Sequence, residues 1–267
     1  MPVDSAAPHK YSEVLERIQS ALEASRKVFE RFTPGEIAAE YKAGMDPVTE
    51  ADLAVNALLH KELLREGEGW LSEESVDDLS RLQKQRVWIV DPLDGTREFV
   101  AGIPEYCISI AYAENGDAVA GGICNPATNE VFLGAIGLGV TYNGKPVKTT
   151  ARAKLKGATI LASRSETKRG EWKRFETAEF TVRQMGSVAY KLALVAAGLA
   201  DATFSLVPKH EWDIAAGAAL IESGGGFFRT LDGEPLRCNR ERPLIQGLVA
   251  GAAGLRAQLV RVVQSQR

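Results

Sequence analysis

Val87-Trp88-Ile89-Val90-Asp91-Pro92-Leu93-Asp94-Gly95-Thr96 is the stretch from which the rest of the chain is read. Four apolar residues run into two aspartates three positions apart, which predicts a short strand ending on a tight turn. Pro92 fixes one backbone angle, and Gly95 lets the chain approach a ligand closely. Asp91, Asp94 and the Leu93 carbonyl between them are hard oxygen donors, the kind Mg²⁺ takes in octahedral geometry at about 2.0–2.1 Å. The same residues are equally compatible with an Asp-Gly hairpin turn and a solvated strand end.

Working outward, other acids stand at similar junctions. Glu73-Glu74 follow a short strand, Trp70-Leu71. Asp213, in Glu211-Trp212-Asp213, opens a helix rich in small residues, where a first-turn acid is ordinary helix chemistry. Asp52 closes Thr49-Glu50-Ala51-Asp52, a spacing that also fits a capping box. Each acid alone has a structural explanation. Together they gather at strand ends and helix starts, where sites form.

Apolar residues at three-to-four spacing predict a helix over His9 to Phe32, stopped by Thr33-Pro34-Gly35, and a second from near Asp46 to Gly67. Tyr106 to Val147 reads as an antiparallel meander with turns at Asn115-Gly116, Asn125-Pro126 and Asn143-Gly144. Beyond Lys154 strands and helices alternate: strands at Ala158 to Ala162, Phe180 to Gln184 and Ala202 to Leu206, helices at Glu166 to Phe175, Ser187 to Ala197 and Trp212 to Ser223. The reading is α/β overall, an α+β half over residues 1–150 followed by an α/β half over 151–267.

With 267 residues, 45% hydrophobic and 25% charged, the chain is long and apolar enough for a substantial core. A net charge of −3 recommends neither a nucleic acid polymer nor an anionic membrane as partner. Three widely spaced cysteines, with no C-x-x-C pair, indicate neither a disulfide framework nor a zinc ribbon and fit a reducing compartment. No basic-then-apolar leader and no apolar run of roughly 18–20 residues is present, so a cytoplasmic location is expected.

Asp46-Pro47-Val48-Thr49-Glu50-Ala51-Asp52, Leu71-Ser72-Glu73-Glu74, Asp91 to Thr96 with Phe99, and Trp212-Asp213-Ile214-Ala215-Ala216-Gly217, in that order, resemble the inositol monophosphatase superfamily of lithium-sensitive, magnesium-dependent phosphatases. The resemblance covers roughly residues 10 to 255. It implies a layered αβαβα sandwich of the inositol monophosphatase and fructose bisphosphatase type. It implies two or three Mg²⁺ ions held by Glu73, Asp91, the Leu93 carbonyl, Asp94 and Asp213. Asp52 and Thr96 would activate water, with Glu73 also at the catalytic centre, and the Gly95 and Thr96 N–H groups would meet the phosphate. The implied reaction is hydrolysis of a small phosphate ester by metal-activated water. Bound cations would make an acidic site attractive to an anion.

Leu71-Ser72-Glu73-Glu74, Asp94-Gly95-Thr96-Arg97-Glu98-Phe99, Ala162-Ser163-Arg164-Ser165, Gly186-Ser187 with Lys191, and Glu211 before Trp212-Asp213 look more like the bacterial 3′(2′),5′-bisphosphate nucleotidase branch. That likeness implies removal of the 3′-phosphate of adenosine 3′,5′-bisphosphate, with Lys42, Ser163, Ser187, Lys191 and Glu211 as substrate contacts. Lys191 offers charge for a second phosphate; snorkelling from its helix is the alternative. His210, close in sequence to the expected site, is a further candidate for contact with substrate. Inositol 1-phosphate or another sugar phosphate stays open as the substrate, and so do a homodimer and a non-catalytic regulatory protein on the same fold.

Overall fold

The strand read first is longer than its apolar core: β4, as it falls in chain order, spans Arg86–Asp94. Alternation along it decides the layering. Val87 and Ile89 face one core cluster, while Trp88 and Val90 face another.

The computed structural model of the chain describes residues 9–41 and 47–265. β1 (Glu40–Tyr41) and β2 (Pro47–Val48) pair as a two-residue ribbon. β3 (Gly69–Ser72), β4, β5 (Cys107–Glu114), β6 (Asp117–Asn125), β7 (Glu130–Ala135), β8 (Gly139–Tyr142) and β9 (Lys145–Val147) form a seven-stranded sheet in sequential order. β3 runs parallel to β4 and the other neighbours are antiparallel, so the predicted meander is present. After it come β10 (Thr159–Ser163), β11 (Thr181–Met185), β12 (Ala202–Ser205), β13 (Lys209–His210), β14 (Gly226–Thr230), β15 (Leu244–Ile245) and β16 (Leu248–Ala252). A five-stranded sheet has the order β11-β10-β12-β16-β14, and β13 pairs with β15. β10 runs parallel to β11 and β12, while β12, β16 and β14 pair antiparallel.

The helices supply the other layers. α1 (Ser12–Phe29) buries Val14, Ile18, Ala21, Leu22 and Phe29. α2 (Glu50–Leu63) buries Ala51, Val55, Leu59 and Leu63. Both pack on the Trp88 and Val90 face, where full burial of a residue such as Ile18 or Leu59 stabilises by roughly 1.5–3 kcal/mol. Short helices α3 (Thr96–Val100) and α4 (Arg164–Lys168) follow β4 and β10. The continuous helix expected over Glu166 to Phe175 is absent: α4 stops, Gly170 takes a φ of +82°, and a separate 3₁₀ turn covers Lys173–Phe175. α5 (Val188–Ala196) and α6 (Glu211–Ser223) lie between the two sheets, and their core cluster takes residues from both. α7 (Arg256–Gln264) packs against the outer face of the five-stranded sheet. The order is helix, sheet, helix, sheet, helix.

Two consecutive glycines on β6 let the layers close. A Cβ on Gly122 would stand 2.2 Å from Ile18 of α1, and one on Gly121 would stand 2.6 Å from the Ala216 carbonyl of α6. The central helix therefore rests almost directly on sheet backbone. Its run of Ala215, Ala216, Gly217, Ala218 and Ala219 is shaped for that approach, and its first turn arrives beside the end of β4.

Candidate active site

Strand pleat carries Asp91 onto the face of Val87 and Ile89, the face that α6 covers. The ladder to β5 pairs Asp91 with Ser109 and then Asp94 with Cys107, so one extra residue bulges out at Pro92-Leu93. Such bulges re-aim side chains beside sites. Here Asp91 Oδ1 accepts the Leu93 N–H at 2.9 Å, which ties the bulge to the acid. Glu73 comes alongside because β3 is parallel to β4, and its own N–H donates to the Val90 carbonyl at 3.3 Å. Asp213 enters from the first turn of α6, with Oδ2 accepting the His210 N–H at 2.9 Å. One carboxylate oxygen each of Glu73, Asp91 and Asp213 lies within 4.8 Å of the others.

Among the described residues this convergence fits a divalent cation on two observations. Two oxygens on one Mg²⁺ stand at most about 4.2 Å apart, and the three here are gathered on that scale. The electrostatics also call for positive charge. Burial, followed by the charges of Glu73, Asp94 and Asp213, pushes the Asp91 carboxyl well above the usual range. Burial, then Asp94 and Glu73, does the same to Asp213.

Asp94 lines the same cavity, yet its Oδ2 is engaged by Ser187 Oγ at 2.7 Å and the Ala189 N–H at 2.5 Å. Any ligand role falls to its other oxygen. The Leu93 carbonyl accepts Thr96 Oγ1–H at 2.9 Å and keeps a second lone pair.

The two oxygens of Asp52 have different partners. Oδ2 caps α2, accepting the Thr49 N–H at 2.7 Å and the Thr49 hydroxyl at 2.6 Å. Oδ1 faces the Thr96 hydroxyl at 3.2 Å. That hydroxyl has one hydrogen, shared between the Leu93 carbonyl and Asp52, so it can pass a proton to the acid only by leaving the carbonyl. Burial raises the Asp52 pKa, against the lowering effect of its hydrogen bonds to Thr49 and Thr96. Gly95 holds a φ of +101°, and a Cβ there would meet the Glu105 carbonyl at 2.9 Å; it and Thr96 begin α3 on the cavity wall.

The cavity measures about 680 Å³. Glu73, Asp91, Leu93, Asp94, Gly95, Thr96, Ser163, Ser187, Lys191 and Asp213, all expected at the site, line it. Ser187 also caps α5, accepting the Tyr190 N–H at 3.0 Å from a left-handed φ of +50°. Lys191 does not snorkel: it is 3% exposed, and burial pushes its amine down to about 8.

Two expected contacts stand apart. Glu211 is fully buried beneath the 239–240 loop, where its oxygens accept the Asn239 N–H at 2.7 Å and the Arg240 N–H at 3.0 Å; it does not line the cavity. Its carboxylate ties that loop to the start of α6. Lys42 lies outside the described residues.

Sequence reasoning passed over Glu98, Arg169 and Lys209, which share the wall. Glu98 lies inside the quoted Asp94 to Phe99 motif and Lys209 directly precedes His210, but residue type and spacing gave neither of them, nor Arg169, a role. His210 lines the cavity too, with its ring stacked on Trp212 at 4.4 Å. The three cysteines are free and buried, and no described helix is long and apolar enough to cross a membrane.

Comparison with known proteins shows which family the whole chain resembles. The model of the inositol monophosphatase family matches residues 10–266. An inositol-1-monophosphatase of Mesorhizobium japonicum is 37% identical over 228 residues, covering 81% of this chain and 84% of its own. The structure of a Thermotoga maritima IMPase superposes with a TM-score of 0.83 at 25% identity, over 95% of this chain and 98% of that one. CysQ from Bacteroides thetaiotaomicron, a bacterial member of the same family, gives 0.77 at 25% identity, over 91% and 98%.

Proposed function

The chain belongs to the inositol monophosphatase family, and from that premise we propose that it is a Mg²⁺-dependent phosphomonoesterase whose preferred substrate carries a second phosphate, as adenosine 3′,5′-bisphosphate does. The observation that carries this reading is the polarity of one cavity. Its walls hold the carboxylates Glu73, Asp91, Asp94 and Asp213, and also the cations Lys191, Lys209 and Arg169. At about 680 Å³ it has the volume of a typical small-molecule site, ample for a nucleotide.

Glu73, Asp91 and Asp213 would hold Mg²⁺, with Asp94 and the Leu93 carbonyl as further donors. Bound there, Mg²⁺ supplies charge neutralisation and Lewis acidity toward the phosphate. The protein's own groups then divide the work. N–H groups of Gly95 and Thr96 orient the phosphate. Thr96 Oγ1 accepts a proton from the attacking water and relays its own to Asp52 Oδ1, 3.2 Å away. Water oxygen bonds to phosphorus as the ester P–O bond breaks; the leaving oxygen takes a proton from solvent to become the alcohol, and Asp52 afterwards returns its proton to solvent. Positioning and charge stabilisation dominate such transfers, so no covalent nucleophile is required.

The competing substrate is inositol 1-phosphate, favoured by the name of the Mesorhizobium relative. Parallel kcat/KM measurements with Mg²⁺ separate the two. We expect adenosine 3′,5′-bisphosphate to lead by at least tenfold; a lead for inositol 1-phosphate replaces this substrate with that one.

A further inference from the structure

We infer that Lys209, rather than Lys191, is the side chain that meets the substrate's second anionic group and sets the preference for a bisphosphate; this rests on the substrate reading above.

The two lysines differ in what already occupies them. Lys191 Nζ donates to the Ser187 carbonyl at 2.7 Å and the Gly186 carbonyl at 3.2 Å. An ammonium has three donors, so two of them pin the turn that also presents Ser187 to Asp94. With the residue 3% exposed, its main work is to hold that turn.

Lys209 has a different setting. Its side chain is 17% exposed and opens onto the same cavity. Its recorded ion pair is with Glu166 Oε1, at 3.4 Å, which leaves donors available to an anion. Its backbone is fixed by the β13–β15 ladder, where Lys209 pairs with Ile245. Glu166 is a rigid anchor: 2% exposed, it accepts Ser205 Oγ–H at 2.7 Å and the Trp172 indole N–H at 3.3 Å. Lys209 shares the cavity wall with both Asp213 of the acid cluster and Lys191. Arg169 sits further out, exposed and paired with Glu171 at 2.6 Å. Arg97 also lines the cavity, exposed and next to Thr96 at the start of α3, on the side of the acids. A substrate phosphate on the acids would leave its second phosphate to Lys209.

The test is the ratio of kcat/KM for adenosine 3′,5′-bisphosphate to that for adenosine 3′-monophosphate, a ratio that cancels any change in folded fraction. It is measured in wild type, Lys209→Met, Lys209→Arg and the double variant Lys209→Met/Glu166→Gln, which removes the buried charge that Lys209 neutralises. Losing one charge-assisted contact should cut the ratio about ten- to a hundredfold in both Met variants, while Lys209→Arg keeps most of it. Calorimetric binding of adenosine 5′-monophosphate against adenosine should lose the same discrimination, without turnover. A wild-type preference that survives in both Met variants, or equal losses on both nucleotides, overturns this inference alone. A wild type with no preference for the bisphosphate overturns the substrate reading and this inference with it.

Discussion

Asp91 shows how much a single position carries. It is 1% exposed, surrounded by like charge, and its carboxyl sits well above the ordinary value of 3.8. Because the folded-state pKa is raised, the folded chain without cation binds this proton more tightly than the unfolded chain does. The stability this contributes is present below about 3.8 and is lost as pH rises through the raised value. Asp91→Asn should therefore raise the melting temperature in EDTA at pH 8 by about 2–6 °C, with little change at pH 4, and should remove the stabilisation by added Mg²⁺. Thermal unfolding at the two pH values checks this; an unchanged or lower melting temperature at pH 8 contradicts it. At this scale the acids were legible because each is sequence-adjacent to the strand end or helix start that positions it. The burial of Glu211 away from the cavity wall and the place of Lys209 on it were not legible, for the opposite reason. The partners that decide their roles, Asn239 and Arg240 for one and Glu166 for the other, are 28 to 43 residues away in sequence.

Helix α5 begins at a strained residue, and the strain serves the site. Ser187 holds φ at +50°, a region costing of order 1–3 kcal/mol for a non-glycine residue. It persists there while accepting from the Tyr190 N–H and donating to Asp94. Removing the hydroxyl while keeping the Cβ should destabilise more than removing both. We expect Ser187→Ala to cost about 1–2 kcal/mol and Ser187→Gly clearly less, since glycine accepts positive φ. Denaturant unfolding in EDTA decides; equal losses would show that the strain is not real. The helix itself was readable from Ser187 onward, whereas its neighbour over 166–175 was not. Apolar spacing there resembles a helix, but Gly170 turns the chain, and Trp172 and Phe175 pack onto the five-stranded sheet instead. The antiparallel pairing of β12, β16 and β14 was hidden because strand direction follows from which distant segments meet.

The whole molecule is an arrangement for bringing α6 between two sheets, with Gly121 below it and Asp213 at its leading end. The meander was visible in its turns, and the layered order followed from the family resemblance rather than from periodicity. That architecture converges Glu73, Asp91 and Asp213 from three separate elements to within 4.8 Å. Without a cation the cluster opposes itself; on the proposed function, a bound cation makes it a phosphate site. Phosphate release from adenosine 3′,5′-bisphosphate, measured as Mg²⁺ is titrated into EDTA-treated wild type and Asp91→Asn, tests this most directly. The account predicts a saturable rise from near zero in wild type and a loss of at least a thousandfold in the variant, about 4 kcal/mol of transition-state stabilisation. Turnover that is independent of Mg²⁺, or that survives in Asp91→Asn, would contradict it.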